Sequence, residues 1–327
     1  MIHDAFGRKI DYLRISVTDR CNLRCIYCMP ESGVELLRHQ DMLSYEEILR
    51  VAAACAKLGF RAFRITGGEP LVRKGIVEFI RELNRLVPWA DISMTTNGTM
   101  LKQLAASLKE AGLKRVNVSL DSLDSDTFRR ITRGGDLEEV LEGIDEALRV
   151  GLGPVKTNTV LMNGVNSEEV VAFAQLTLSK PIHVRFIELM PLGEACRRWH
   201  SGAFVPVNEA FQRIAKAYPL ERAEVRGSGP ASYWRIPGAA GSLGFISAIS
   251  SHFCGACNRV RLTAKGGLSL CLASTSEVDL KCALRNGCSD EELCRLIAEA
   301  VWQKPAGHNM TGGSEELGER RMFSIGG

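Results

Sequence analysis

Eleven cysteines lie in this chain, and six of them fall into two tight sets. Cys21, Cys25 and Cys28 form a CxxxCxxC run. Cys254 and Cys257 form a CxxC, followed after thirteen residues by Cys271. Thiolates bind metals, and an odd cysteine count cannot be wholly paired as disulfides. Three thiolates on one tight loop leave a four-thiolate shell one ligand short. One reading is a structural zinc whose fourth ligand comes from elsewhere. The other is a four-iron cluster with one iron left open, since ordinary cluster ligation uses four cysteines. In the second set His252 could complete a Cys₃His zinc site. The remaining five, Cys55, Cys196, Cys282, Cys288 and Cys294, are scattered. Cys55, Cys288 and Cys294 fall on amphipathic helix patterns, where a free cysteine is a small apolar residue.

From residue 13 to about 190 one unit recurs six times, a β-rich run followed by a helical stretch. The pattern predicts strands at Leu13–Val17, Ala62–Thr66, Asp91–Thr96, Arg115–Leu120, Val155–Leu161 and His183–Glu188. It predicts helices near Tyr45–Leu58, Gly75–Leu86, Leu101–Ala111, Leu137–Val150 and Glu168–Leu178, and a sixth at Asn208–Ala217. Ser44 with Glu47 is a capping-box signal, and Gly59, Gly112 and Gly151 stand where helices should end. Such alternation means βαβ units and a parallel sheet. Six units are two short of a closed eight-fold barrel. The expected fold is therefore α/β, a partial (βα)₆ TIM-like barrel, with a doubly wound sheet as the rival. The first cysteine run follows the first strand, at the strand end where barrel chemistry sits.

Strand alternation sorts the side chains. One face carries Arg14 and Ser16, Arg64 and Thr66, Ser93 and Thr95, Asn117 and Ser119, Lys156 and Asn158. The opposite face is mainly Ile, Val and Leu. The sixth strand does not sort cleanly. A barrel with a polar inner face should hold a polar ligand or water, because buried polar groups need partners. After about Pro191 the pattern breaks into Gly-, Pro- and Ser-rich turns. Short strands are expected at Ser232–Ile236, Gly244–Ile249, Arg259–Thr263 and Leu268–Cys271, and a last helix at Asp290–Trp302. The expected division is a barrel at 1–190 and a C-terminal α+β cap at 191–327 carrying the second cysteine set.

Composition narrows the class of protein. The 327 residues are 45% hydrophobic and 24% charged, as in folded globular chains. Lys+Arg 41 against Asp+Glu 38 gives a net charge of +3. That is too mild to argue for nucleic acid or an anionic membrane. No apolar run reaches the roughly 18 residues of a membrane span, and Met1–Ile10 lacks the apolar segment of a signal peptide. The expectation is a cytoplasmic protein.

CxxxCxxC with Tyr27 before its last cysteine resembles the radical S-adenosylmethionine (SAM) superfamily. Thr66-Gly67-Gly68-Glu69-Pro70 resembles its GGEP motif, whose glycines are expected to let a ligand's amino group approach backbone oxygens. Phe253-Cys254-Gly255-Ala256-Cys257-Asn258-Arg259-Val260-Arg261 resembles the second-cluster segment of the MoaA family, the GTP 3′,8-cyclases of molybdenum cofactor biosynthesis. So do Thr95–Gly98, Asn117–Ser122, Lys156–Val160, Arg185–Met190 and the Gly326-Gly327 end. The likeness spans nearly the whole chain and is weakest at about 192–243.

What the resemblance implies is specific. Cys21, Cys25 and Cys28 would hold a first [4Fe–4S] cluster, and Cys254, Cys257 and Cys271 a second with an open iron. Tyr27, Gly68, Ser119 and Met190 would contact SAM. Arg14, Arg64, Thr95, Lys156, Asn258, Arg259, Val260 and Arg261 would bind GTP. Arg185, Gly326 and Gly327 would serve catalysis. A 5′-deoxyadenosyl radical from SAM would abstract the ribose 3′ hydrogen of GTP, giving 3′,8-cyclo-7,8-dihydro-GTP. MoaC would act downstream, a one-electron donor such as flavodoxin would feed the enzyme, and the chain would be a monomer or homodimer. Independently of the likeness, Arg14, Arg64 and Lys156 are cations on the polar faces, suited to a triphosphate. No Walker A loop is present, so side chains must hold the phosphates. The rivals are a peptide-modifying two-cluster radical SAM enzyme and a zinc-stapled binding module.

Overall fold

In the computed structural model, described for residues 1–227, 229–308, 310 and 322–326, the six expected strands form within one residue of their expected ends. They are β1 (Tyr12–Ser16), β2 (Ala62–Thr66), β3 (Asp91–Thr96), β4 (Arg115–Ser119), β5 (Val155–Leu161) and β6 (Ile182–Glu188). The later strands are β7 (Glu221–Ala223), β8 (Ser232–Arg235), β9 (Ser242–Ile246), β10 (Arg259–Leu262), β11 (Gly267–Ser269) and β12 (Glu277–Asp279). All join one sheet, ordered β12-β11-β10-β1-β2-β3-β4-β5-β6-β9-β8-β7. β10 runs parallel to β1 and β9 parallel to β6. The C-terminal third thus lengthens the parallel sheet at both flanks. Arg259 and Arg261 of β10 then line the same cavity as Arg185 of β6. The sheet is curled enough for its flanks to face one lumen.

Each helix between strands lays its apolar stripe on the sheet. α1 (Tyr45–Lys57) starts with the expected capping box: Glu47 N–H donates to Ser44 Oγ at 3.2 Å and Ser44 N–H to Glu47 Oε2 at 2.7 Å. α2 (Ile76–Leu86), α3 (Leu101–Glu110), α5 (Leu137–Arg149), α6 (Val170–Ser179), α8 (Val207–Ala217) and α10 (Asp290–Trp302) follow the sequence pattern. Two helices the pattern did not reveal are α4 (Ser125–Thr132) and α7 (Glu194–His200). A further short helix, α9, spans Leu280–Arg285. Leu13, Ile15, Phe63, Ile65, Ile92, Val116 and Val118 are fully buried beneath the helices. Their strand neighbours face inward.

The register aligns the polar face across strands. Arg14 lies beside Arg64 on one side and Arg261 on the other. Thr95, Asn117, Lys156, His183 and Ser242 form a second row. Asn158 pairs with Arg185, so the sixth strand presents His183 and Arg185 inward after all.

At the end of β6, Glu188 is fully buried and fastens three segments. Its carboxylate accepts from Val207 N at 3.1 Å, Ile249 N at 2.7 Å, Ser250 N at 2.9 Å and the Ser250 hydroxyl. Removing it leaves buried donors unsatisfied. Glu188→Ala should lower unfolding free energy by about 3 kcal/mol or more, and Glu188→Gln by less. Urea unfolding under anaerobic conditions reads this difference.

Candidate functional site

The first triad leaves β1 on a loop that three neighbours hold. Arg24 N donates to Thr132 O at 3.0 Å and Ile26 N to Ile131 O at 2.9 Å, both at the end of α4. Arg133 Nη1 bonds Arg24 O and Met29 O, and Arg198 of α7 bonds Ile26 O. The two helices missed in the sequence are those that grip this loop. The third neighbour is the strand end at Thr66–Pro70. Gly68 N donates to Thr18 O at 2.7 Å and Glu69 N to Arg20 O at 2.8 Å. A Cβ on Gly67 would stand 2.6 Å from Thr18 O, and one on Gly68 would strike Arg20 O. The glycines' visible role is therefore close docking of the triad's leading segment, and not only room for a ligand.

Glu69 and Asp121 were not among the expected site residues, though both sit in quoted motifs. Glu69 is buried and accepts from Leu71 N, Thr96 Oγ1 and Asn97 N. Burial, only partly offset by these bonds, pushes its carboxyl up to about 7. Asp121 accepts from Tyr27 Oη at 2.7 Å and from Val160 N at 2.8 Å. Burial pushes it up to about 6. Tyr27 and Gly68 thus lie at the triad, with Ser119 at the end of β4 and Met190 just beyond β6, both at the C-terminal ends of the parallel strands.

The thiols suit a cationic core. Burial, with Asp121 and the other two cysteines adding to it, pushes Cys25 well up, and burial with Cys21 takes Cys28 to about 12. Cys21 is also raised by burial. An iron core supplies the positive charge that lets such thiolates form. Among the described residues no group of three or more His, Cys, Asp or Glu is arranged to hold a single metal ion. A four-iron cube spreads its thiolates wider than one zinc ion does.

The second triad lines a chamber with Lys304, His308, Arg259 and Arg261. Burial alone would raise Cys257, but Lys304, Arg259 and Arg261 outweigh it and hold the thiol below its usual value. His252, the possible zinc ligand, is exposed and faces His308, ring centres 5.3 Å apart, and is not on the chamber wall.

This chamber abuts the lumen. Met190, Phe253, Arg259, Arg261 and Leu272 line both. The lumen cavity also carries Arg14, Arg64 and Arg185. Asn117 Oδ1, Asn158 Oδ1, Arg185 Nε and Arg259 Nε are buried there without a hydrogen-bond partner. Such orphaned polar atoms fit a polar ligand. Lys156 is off this wall, donating to Arg226 O at 2.8 Å and Tyr233 Oη at 3.2 Å. Thr95 Oγ1 accepts from Arg64 Nη1 at 3.5 Å. Four expected GTP residues do not line this cavity: Thr95 and Lys156, and also Asn258 and Val260. Asn258 turns its amide to Asp11 Oδ1 at 2.8 Å, and the Val260 side chain belongs to the apolar core beneath the helices. Alternation along β10 puts its neighbours Arg259 and Arg261 inward instead.

The tail enters the same space. Helix Met322–Ile325 buries Phe323 and Ile325. Gly326 O accepts from Arg14 Nε at 3.0 Å and Arg261 Nη1 at 2.8 Å. Gly327 lies outside the described residues.

Two family models match. The radical SAM superfamily covers residues 15–177, and Molybdenum Cofactor Synthesis C covers 182–310. The GTP 3′,8-cyclase of Pelotomaculum thermopropionicum is 52% identical over all of both chains, and that of Moorella thermoacetica 50% over all of both. The GTP 3′,8-cyclase of Heliobacterium modesticaldum is 51% identical over 99% of each. The chain belongs to the GTP 3′,8-cyclase family. Its fold is that of radical SAM proteins: Streptococcus suis SuiB superposes with a TM-score of 0.57 at 13% identity, over 91% of this chain and 67% of that one. The family implies a [4Fe–4S] cluster and SAM.

Tyr12, on the inner face of β1 by the same alternation as Arg14, was also missed. It accepts from Arg64 Nε. Burial would raise its phenol, but Arg64, Arg14, Arg259 and Arg115 together lower it to about 8. The folded value lies below the unfolded value of about 10, so ionisation stabilises the fold as pH climbs from about 8 towards 10. Ultraviolet titration should show one of the five tyrosines ionising near 8. The step should vanish in Tyr12→Phe and move up in Arg64→Gln.

Proposed function

We propose that the lumen binds GTP between two iron–sulfur clusters, and that this arrangement serves the family's reaction. The chain is a radical SAM lyase, a GTP 3′,8-cyclase acting in molybdenum cofactor biosynthesis. Cys21, Cys25 and Cys28 would hold the SAM cluster, and Cys254, Cys257 and Cys271 a second. The observation that carries this reading is the wall shared by the second triad's chamber and the cation-lined lumen. When bound, the first cluster and SAM supply the 5′-deoxyadenosyl radical that takes the 3′ hydrogen of GTP.

The chain's own residues would do the rest. Tyr27, Gly68, Ser119 and Met190 would seat SAM over the triad. Arg14, Arg64, Thr95, Arg185 and Lys156 would take the phosphates, whose charge is opposite to that of the cations. Arg259 and Arg261 would orient the nucleotide toward the second triad. Gly326 and Gly327 would close the site and exclude water. The two units would divide at 190/191, with the second supplying β9 and β10. MoaC would consume the product, and a flavodoxin-like donor would supply electrons. Among the described residues no helix is long and apolar enough to cross a membrane.

The direct test is anaerobic incubation of reconstituted protein with SAM, GTP and dithionite, followed by mass spectrometry. The cyclised nucleotide should appear. About eight irons per chain should fall to about four when Cys254, Cys257 and Cys271 become Ala. A cyclase with four irons that the triple variant leaves unchanged would remove the second cluster.

Lys156 gives a pH test. Burial, with Arg185, Arg115 and Arg64, lowers its ammonium to about 7. A triphosphate would restore the charged form, so binding should take up a proton above pH 7 and weaken as pH rises further. Calorimetry in two buffers of different ionisation heat should show this uptake, and Lys156→Met should abolish it. Identical heats for the wild type would move Lys156 away from the phosphates.

A further inference from the structure

The chamber of the second triad has a cation built into its wall. Lys304 follows α10 and is only 3% exposed. Its ammonium bonds the Leu270 carbonyl, next to Cys271, and stands against the thiols of Cys257 and Cys271. Its place is enforced from the other end of the chain. Arg8 Nη1 donates to Cys254 O and to Ala306 O, each at 2.8 Å, and Nη2 to Pro305 O at 2.6 Å. Arg8 is in turn fixed by Asp4, 1% exposed, through a 2.6 Å pair. One buried arginine thus sews the Cys254 loop to the segment that begins at Lys304.

Burying an ammonium is costly unless a negative charge faces it. Arg259 and Arg261 on this wall and Arg8 behind it are all of like sign, and the thiols are the anions within reach. A cation held against cluster sulfurs favours the reduced state, which carries one more negative charge. We propose that Lys304 is a positioning residue that raises the reduction potential of the cluster on Cys254, Cys257 and Cys271. This rests on the second-cluster reading above.

The test is an anaerobic potentiometric titration of reconstituted enzyme with dithionite, read by electron paramagnetic resonance. The second cluster's signal is assigned as the one lost when Cys254, Cys257 and Cys271 become Ala. Lys304→Met should move that signal's midpoint to lower potential and leave the first cluster's midpoint in place. Lys304→Arg should restore the wild-type value. An unchanged midpoint in a fully loaded Lys304→Met enzyme overturns the proposal. If Lys304→Met assembles no second cluster but Lys304→Arg does, Lys304 serves assembly and not potential, and the proposal falls. If both lose the cluster while the chain stays folded by circular dichroism, Lys304 acts by shape and the proposal falls. Absence of any second-cluster signal in the wild type refutes the two-cluster reading instead, a distinct result.

Discussion

Like charge is concentrated on the inner wall of this barrel, and much of the structure follows from holding it there. Arg64, Lys156, Arg185 and Arg261 are each nine-tenths or more buried. Burial and mutual proximity lower the affinity of Arg14, Arg64, Lys156 and Arg185 for their protons, and of Arg261 likewise. Weak partners stand among their contacts: a phenol on Arg64 and a backbone carbonyl on Arg14 and Arg261. Asp91 is committed to Arg115 through two parallel bonds. The fold thus stores an electrostatic cost that a polyanion would relieve, and the unpartnered nitrogens of Arg185 and Arg259 mark where relief is missing.

That cost is sustained by the apolar side of the same strands. Alternate residues such as Leu13, Ile15, Phe63 and Ile65 are fully buried beneath α1 and α2. Full burial of each such side chain contributes about 1.5–3 kcal/mol. A one-residue slip in register would exchange these with the arginines. The register is therefore pinned by the arginines as firmly as by the core. β10 extends the logic: Arg259 and Arg261 face the lumen and Val260 the core, in the phase set by β1.

The strands and their polar face were legible because period-2 alternation is a local signal, and so were the cysteine sets. The docking of α4 and α7 onto the triad loop was not, since α4 is short and follows directly on a strand–loop segment already rich in Ser and Asp. The addition of β9 and β10 to the parallel sheet was equally hidden, because pairing between distant strands leaves no trace in local pattern. Asn258 and Val260 show the limit of motif transfer. A matching run of letters does not say which side chains of a strand face the ligand. Tyr12, by contrast, was readable, lying two residues before Arg14 on the same face. Glu69 and Asp121 lay inside quoted motifs, and what set them apart, full burial, is a tertiary property.

The tail joins these constraints. The Phe323 backbone N–H bonds the Cys28 thiol at one end, and Gly326 O bonds Arg14 and Arg261 at the other. Four residues therefore span from the first triad to the cations next to the second triad. Gly326 adopts φ +69°, and a Cβ there would strike Thr66 Cγ2. Glycine is demanded twice, by backbone and by space. Gly326 O thus orients two guanidiniums through a neutral acceptor, whereas a charge-assisted partner is about twice as strong. The tail hence orders Arg14 and Arg261 on the lumen wall through one shared backbone acceptor.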